Sequence, residues 1–305
     1  MPATKQRFRA YVYLLITTVL WGAAFIVVEP ALDHTSVFQF LFYRFVIAGL
    51  IITPLLVGYL KRAIHRAQFW KIIGIEVIGV VIYLPLLYEG LARSTAIETS
   101  LLATTSPLFI IFACIIFLRE KQSKREWIGL SISVIGMLLI AMLPILNGTV
   151  GISGMSLEGN MLILLANVVG AVYAILIKSQ YKKIPPLFAA AVSFWLGAIA
   201  FGMLSLFVGK ISPVELFTTA LNDWQQPSVA IASLYMAIFG SIIGLTAYIK
   251  GQKLIEASEA SLFYYLQPLV YLPLGVYLLG EPLNIFQMIG LGVILLGVGI
   301  SEGRR

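Results

Sequence analysis

Ten times along the chain a stretch of about twenty residues runs on with almost no charged side chain, long enough to cross a ~30 Å hydrocarbon layer as a helix. The stretches run from Ala10 to Val28, Phe38 to Leu60, Ile72 to Leu91, Ser100 to Leu118, Trp127 to Leu146, Gly159 to Ile177, Leu187 to Gly209, Val229 to Ile249, Ala257 to Leu279 and Ile285 to Ile300. They are continuously apolar and do not alternate with a period of two, which excludes a transmembrane β-barrel. Only 11% of the residues are charged, against ~25% in a water-soluble domain. The expected fold is an all-α polytopic membrane protein. The first stretch is one of many and lacks a small-residue cleavage site, so it reads as a span and not as a signal peptide. The one cysteine, Cys114, sits in an apolar run, so no intrachain disulfide is expected.

The basic residues test the count, because Lys and Arg collect in short cytoplasmic loops. With ten spans and both termini cytoplasmic, 18 of the 21 basic residues fall inside the cell, in six segments from Lys5 to Arg305. Arg93 and Lys210 fall outside, and Arg44 falls within a span. A missed helix would invert every later loop and destroy this segregation. The net charge of +7 is therefore a topology signal spread over six segments, not a nucleic-acid-binding patch.

The sequence also repeats itself. Shifted by 161 residues, Gly79 to Leu139 aligns without gaps on Gly240 to Ile300, with 16 of 61 positions identical. The matches include Gly79/Gly240, Glu98/Glu259, Pro107/Pro268, Glu120/Glu281 and Gly129/Gly290. Apolar composition produces chance Leu and Ile matches, but not aligned prolines, glutamates and glycines. The chain is expected to be a duplicated five-helix unit, residues 1–150 and 151–305. Because five is odd, the second copy enters the membrane from the opposite side, as in the inverted repeats of many secondary transporters.

The first span ends in Trp21-Gly22-Ala23-Ala24-Phe25, and the second contains Tyr43-Arg44-Phe45-Val46-Ile47-Ala48. The fourth and ninth carry a mid-span proline followed thirteen residues later by Glu120 or Glu281, each before an Ile-Gly-Leu helix start. In this order across both halves the chain resembles the EamA family of the drug/metabolite transporter superfamily. The resemblance implies an exporter or permease for small metabolites, amino acids or drug-like solutes. Its central cavity would be lined by helices one to four and six to nine, with five and ten peripheral. The second half has Gly170-Ala171-Val172-Tyr173 where the first-helix tryptophan is expected.

Polar groups in the hydrocarbon region usually face the bundle interior. Arg44 is expected to pair with Glu89 or Glu29, because Glu76 lies too far along the membrane normal. It is either an anion-binding or gating arginine or a structural ion pair. Glu76 is a candidate for proton coupling, and the blander expectation has it snorkel to the cytoplasmic surface beside Lys71. Glu120 and Glu281 are expected to cap the helix that follows each. Pro107 and Pro268 each delete a backbone hydrogen bond, which predicts paired kinks beside Thr104, Thr105 and Ser106 on one side and Tyr264, Tyr265 and Gln267 on the other. Trp21, Tyr88, Asn167, Tyr173 and Trp195 complete the candidate substrate site. Gly240-Ser241-Ile242-Ile243-Gly244 reads as a close-packing motif and not as a ligand site.

The function expected is a secondary transporter working by alternating access, as a monomer or weak dimer in the cell membrane, with a proton as candidate coupling ion and no cofactor. The alternatives are an intramembrane channel or a membrane-embedded enzyme. No Walker A pattern is present for ATP-driven transport. His34, His65, Asp33 and Asp223 all fall in loops, which leaves no intramembrane metal cluster or aspartate pair.

Overall fold

The computed structural model of the chain describes residues 3–56, 66–118, 123–141, 157–181, 184–255, 260, 262–281 and 283–302, and every regular element among them is helical. Seven helices there are long and apolar enough to cross a membrane. They are α1 (Gln6–Leu32), α2 (Val37–Pro54), α3 (Gln68–Leu91), α4 (Ala96–Phe117), α6 (Leu157–Gln180), α7 (Pro186–Phe207) and α8 (Pro227–Leu254). Three shorter apolar helices are α5 (Trp127–Ile140), α9 (Phe263–Leu279) and α10 (Ile285–Gly297). The stretches expected at Trp127 to Leu146 and Ala257 to Leu279 run partly outside the described residues.

The bundle buries its few polar side chains in a mainly apolar core and turns an apolar surface outward. Arg44, Glu76, Glu98, Asn160, Asn167, Ser193, Ser241 and Gln267 are buried, while Leu50, Ile116, Phe117, Ile135, Ile199 and Phe207 are exposed. Helices of the two halves pack on each other: α1 on α8, α2 on α7, α3 on α6, and α5 on α10. In the last pair Gly136 and Gly290 let the backbones meet.

Several spans are interrupted. π-helical turns occupy Val77–Ile82 in α3 and Met236–Leu245 in α8, at positions related by the 161-residue shift. A π turn widens the helix and disturbs its carbonyl ladder. In α8 two side chains of α1 reach carbonyls of the π turn: Trp21 Nε1 donates to that of Gly240 at 2.9 Å, and the Thr17 hydroxyl, 3.0 Å from the Tyr13 carbonyl, also lies 3.2 Å from that of Gly244.

The prolines act as their chemistry requires. α4 turns at Thr104 and Thr105 and restarts at Ser106. Pro107 has no N–H for the Ala103 carbonyl four residues back, and the Ser106 hydroxyl donates to it at 2.7 Å. In α9 a 3₁₀ turn over Leu262–Leu266 precedes Pro268, and the freed Tyr264 carbonyl takes the Gln267 N–H at 3.0 Å. The two broken helices touch where the Thr104 and Tyr271 hydroxyls lie 3.3 Å apart.

Two expectations change here. Glu281 does not cap the helix that follows it. Its carboxylate accepts the Ala96 and Ile97 N–H groups, both at 2.8 Å, and so caps α4 in the other half of the chain. Glu120 lies outside the described residues. Asp223 is not a surface loop residue: it ends the short helix Pro213–Asp223, is buried, and accepts from the Thr35 and Tyr43 hydroxyls at 2.6 and 2.9 Å. That helix starts with a Ser212/Glu215 capping box, and the Ser212 backbone N–H, then its hydroxyl, holds the Glu215 carboxyl below its ordinary range. Exposed Val214, Phe217 and Leu221 give it one apolar stripe suited to a membrane surface.

Candidate functional site

A cavity of about 130 Å³ lies inside the bundle, lined by residues of α1 to α4 and α6 to α9. None of its lining residues comes from α5 or α10. The walls are largely aromatic: Trp21, Phe25, Phe45, Tyr83, Tyr88, Phe194, Tyr248 and Tyr264. Both π turns reach it, through Gly79 and Val80 on one side and Gly240 and Ser241 on the other.

Among the described residues Arg44 brings the one cation of this lining. Its Nη1 donates to the Tyr88 hydroxyl at 2.9 Å, and its Nε and Nη2 donate to the Ser241 hydroxyl at 3.2 and 3.0 Å. The guanidinium carbon stands 4.9 Å from the Phe45 ring centroid and 5.7 Å from that of Tyr88. Among the described residues no carboxylate pairs with it. A guanidinium carries five N–H donors, and these three bonds leave part of the fork free toward the cavity. Such a fork matches the geometry of a carboxylate, sulfonate or phosphate.

Glu76, at the start of the π turn in α3, is fully buried. Its Oε1 accepts from the Tyr181 hydroxyl at 2.5 Å, and its Oε2 from the hydroxyls of Tyr173, at 3.0 Å, and Ser193. Burial beside Glu76 pushes the Tyr181 phenol up from its ordinary value. A second buried carboxylate, Glu98 of α4, accepts from Asn160 Nδ2 at 2.8 Å and from the Ser94 hydroxyl at 3.1 Å.

The family model for EamA-like transporters matches twice, over residues 8–142 and 157–301. The chain belongs to the EamA-like transporter family. It is a membrane transporter. It is 28% identical over 302 residues to the uncharacterized transporter YyaM of Bacillus subtilis, covering 98% of this chain and 95% of that one. It is 26% identical over 311 residues to the uncharacterized inner membrane transporter YedA of Escherichia coli K12, covering 96% and 90%. One solved crystal structure superimposes with a TM-score of 0.65 at 16% identity, covering 96% of each chain, a likeness of fold.

In this EamA-like transporter, Trp21, Arg44, Tyr88, Tyr173 and Gln267 converge on the cavity, and six other expected residues do not line it. Trp195 is partly exposed, with its indole N–H on the Thr53 hydroxyl at 3.0 Å. Tyr265 is buried one residue away from the lining Tyr264, which is the ring that α9 turns inward. Thr105, Pro107, Pro268 and Asn167 shape the helix breaks. Asn167 of α6 donates to the Leu102 carbonyl at 2.8 Å and to the Thr105 hydroxyl at 3.1 Å, and its Oδ1 competes with the Ala103 carbonyl for the one Ser106 hydroxyl hydrogen, 2.7 Å from each. Asn167→Ala should strip the two amide donations from this buried break. A fall in stability of about 1–3 kcal/mol is expected, read as earlier unfolding of the detergent-solubilised protein. An unchanged unfolding midpoint would show that the break holds itself.

Three readings of individual residues are corrected. Arg44 pairs with neither Glu89 nor Glu29. Glu89 is taken by Arg93, four residues on along the same helix face, and Glu29 lies in the field of Glu281 and Asp33. Glu76 does not snorkel beside Lys71, because three hydroxyls hold it inside the bundle. The Gly240 to Gly244 stretch does pack closely, with Gly244 admitting the Trp21 indole, but its Ser241 also holds Arg44 and lines the cavity. Sequence reading missed Tyr83, Ser193 and Tyr248. Their places on the helix faces carried no local signal that singled them out.

Proposed function

We propose that this transporter is a secondary carrier for small organic anions with an apolar or aromatic body, working by alternating access. Arg44 carries the reading: a buried guanidinium in a membrane bundle, bonded among the described residues only to neutral hydroxyls, with donors left over in an aromatic cavity. Such a charge is costly in the hydrocarbon region and marks a solute path. An engineered cavity of ~150 Å³ holds benzene, so about 130 Å³ limits the solute's apolar body to about one small ring.

Ten transmembrane helices in two inverted repeats, residues 1–150 and 151–305, with both termini cytoplasmic, would give that cavity two equivalent gates. Several features support this. The family model matches once in each half. Exchanging each helix for the one five places on turns the α1/α8 contact into α6/α3 and leaves α2/α7 and α5/α10 unchanged. The π turns and the proline breaks recur at repeat-related positions.

Counterflow in proteoliposomes tests the reading, with radiolabelled benzenesulfonate as probe because it stays anionic at every pH. Saturable uptake stimulated by unlabelled benzenesulfonate inside is expected. Conductance that never saturates would indicate a channel, and carriage of cationic but not anionic aromatics would overturn the substrate class.

A further inference from the structure

Glu76 has no role in holding the anion, yet it is the most completely enclosed carboxylate beside the cavity. All its described partners are neutral hydroxyls. The elements against it are α6 and α7. From α6 it faces Tyr173, with Tyr181 just beyond the helix end, and Tyr248 of α8 lies in the field of Tyr173. Within α7 there is no ionisable residue. Nearby lysines are engaged elsewhere: Lys178 donates to the Gln252 and Ile255 carbonyls, and Lys253 to the Ile184 carbonyl. Lys71, on its own helix, makes no ion pair with it.

Two of the three donors, Tyr173 and Ser193, are also lining residues of the cavity. That shared position links the two sites through hydroxyl bookkeeping. While Glu76 is ionised, its oxygens consume the hydroxyl hydrogens of Tyr173, Tyr181 and Ser193. When a proton from water forms an O–H bond on Oε2, that oxygen becomes a donor. Tyr173 or Ser193 must then reverse, and the freed hydroxyl hydrogen turns toward the cavity. At the same time the like charge beside the anion's path disappears.

We propose that Glu76 is a proton site of this carrier, and that its proton and the anion held by Arg44 bind cooperatively and cross together as an electroneutral symport. The inference rests on the cavity being the anion site. One proton and one anion enter from one face and leave at the other, and no bond of the solute changes. Anion affinity rises as pH falls, since protonation removes a negative neighbour and adds a donor. By linkage the anion draws in a proton by the same factor.

The test uses the full-length chain in sodium-free vesicles, again with benzenesulfonate, whose own charge does not titrate. An inside-alkaline gradient should drive accumulation of up to about tenfold per pH unit for a one-proton coupling, collapsed by a protonophore and indifferent to membrane potential. E76Q should bring the gradient-driven accumulation down to simple equilibration. Wild-type counterflow without any response to the pH gradient overturns the coupling and leaves the carrier reading intact, and absent counterflow overturns the carrier reading. Accumulation driven by a sodium gradient would make the site one for a metal ion and overturn the proton assignment. A second readout needs no solute. The pH-difference infrared spectrum of the wild type should show a titrating protonated-carboxyl band that E76Q lacks. Tyr181→Phe, which keeps the carboxyl but removes one donor, should keep the band at a displaced midpoint. A band unchanged in E76Q overturns the proposal whatever the transport result.

Discussion

Arg44→Leu should abolish benzenesulfonate transport, by on the order of a hundredfold, while the protein still folds. The structure separates these outcomes because, among the described residues, Arg44 bonds only to Tyr88 and Ser241. Removing one member of a buried ion pair strands the other charge, at about 3–5 kcal/mol. Here no carboxylate is stranded, and two hydroxyls can turn to each other or to water. A leucine beside Phe45 also spares the bundle a buried charge, so thermal stability should be equal or higher. Charge-assisted bonds to the solute are worth about 1.5–3 kcal/mol each, which sets the size of the transport loss. Arg44→Lys should keep part of the activity, with the charge but without the planar fork. Counterflow and thermal unfolding measured on the same preparations decide the matter. Undiminished transport by Arg44→Leu would dismiss the anion role, and loss of folded protein would make the arginine a structural element.

Gly79→Ala should be among the most damaging single-methyl changes in the bundle, while the repeat-related Gly240→Ala should be mild. A Cβ on Gly79 would fall 2.2 Å from the Tyr173 ring. That ring cannot swing aside without loss, because its hydroxyl is bonded to Glu76. Overpacking costs about 1–3 kcal/mol, and a lost bond to the Glu76 carboxyl adds about 1.5–3 kcal/mol. At Gly240 the added Cβ meets the end of the Met236 side chain at 2.7 Å, a flexible thioether that can move away. The unfolding midpoints of the two variants should therefore separate widely. Equal losses, or none at Gly79, would show that Tyr173 is free to repack. The contrast also shows why a duplicated sequence does not make a symmetric site. Tyr173 packs its ring on Gly79 and donates to the Glu76 carboxylate, whereas Trp21 packs on Gly244 and donates to the Gly240 carbonyl, so the two π turns meet different partners.

Much of the protein was legible in the sequence because the membrane restricts the solutions. Long apolar runs must be helical so that their backbone is satisfied. Arg44, Tyr88, Trp21, Tyr173 and Gln267 could be placed inside because polar and amphipathic groups avoid lipid. Pro107 and Pro268 announced breaks because their missing N–H groups leave a fixed carbonyl free. Duplication was visible because glycines, prolines and glutamates do not recur in register by composition alone.

Tertiary structure decided the rest, for reasons of rotation and distance. Successive residues on a helix differ by about 100°, so depth alone could not say whether Tyr88 or Glu89 would meet Arg44. Packing of α3 turned Tyr88 inward and left Glu89 to Arg93. Nothing local to Glu76 indicated its cage, since Tyr173, Tyr181 and Ser193 lie 97, 105 and 117 residues away. Composition and periodicity thus determined that this chain is a helical membrane bundle with a few polar groups inside. Only the packing of helices from both halves decided which of those groups meet, leaving Arg44 without a counter-charge and Glu76 among hydroxyls.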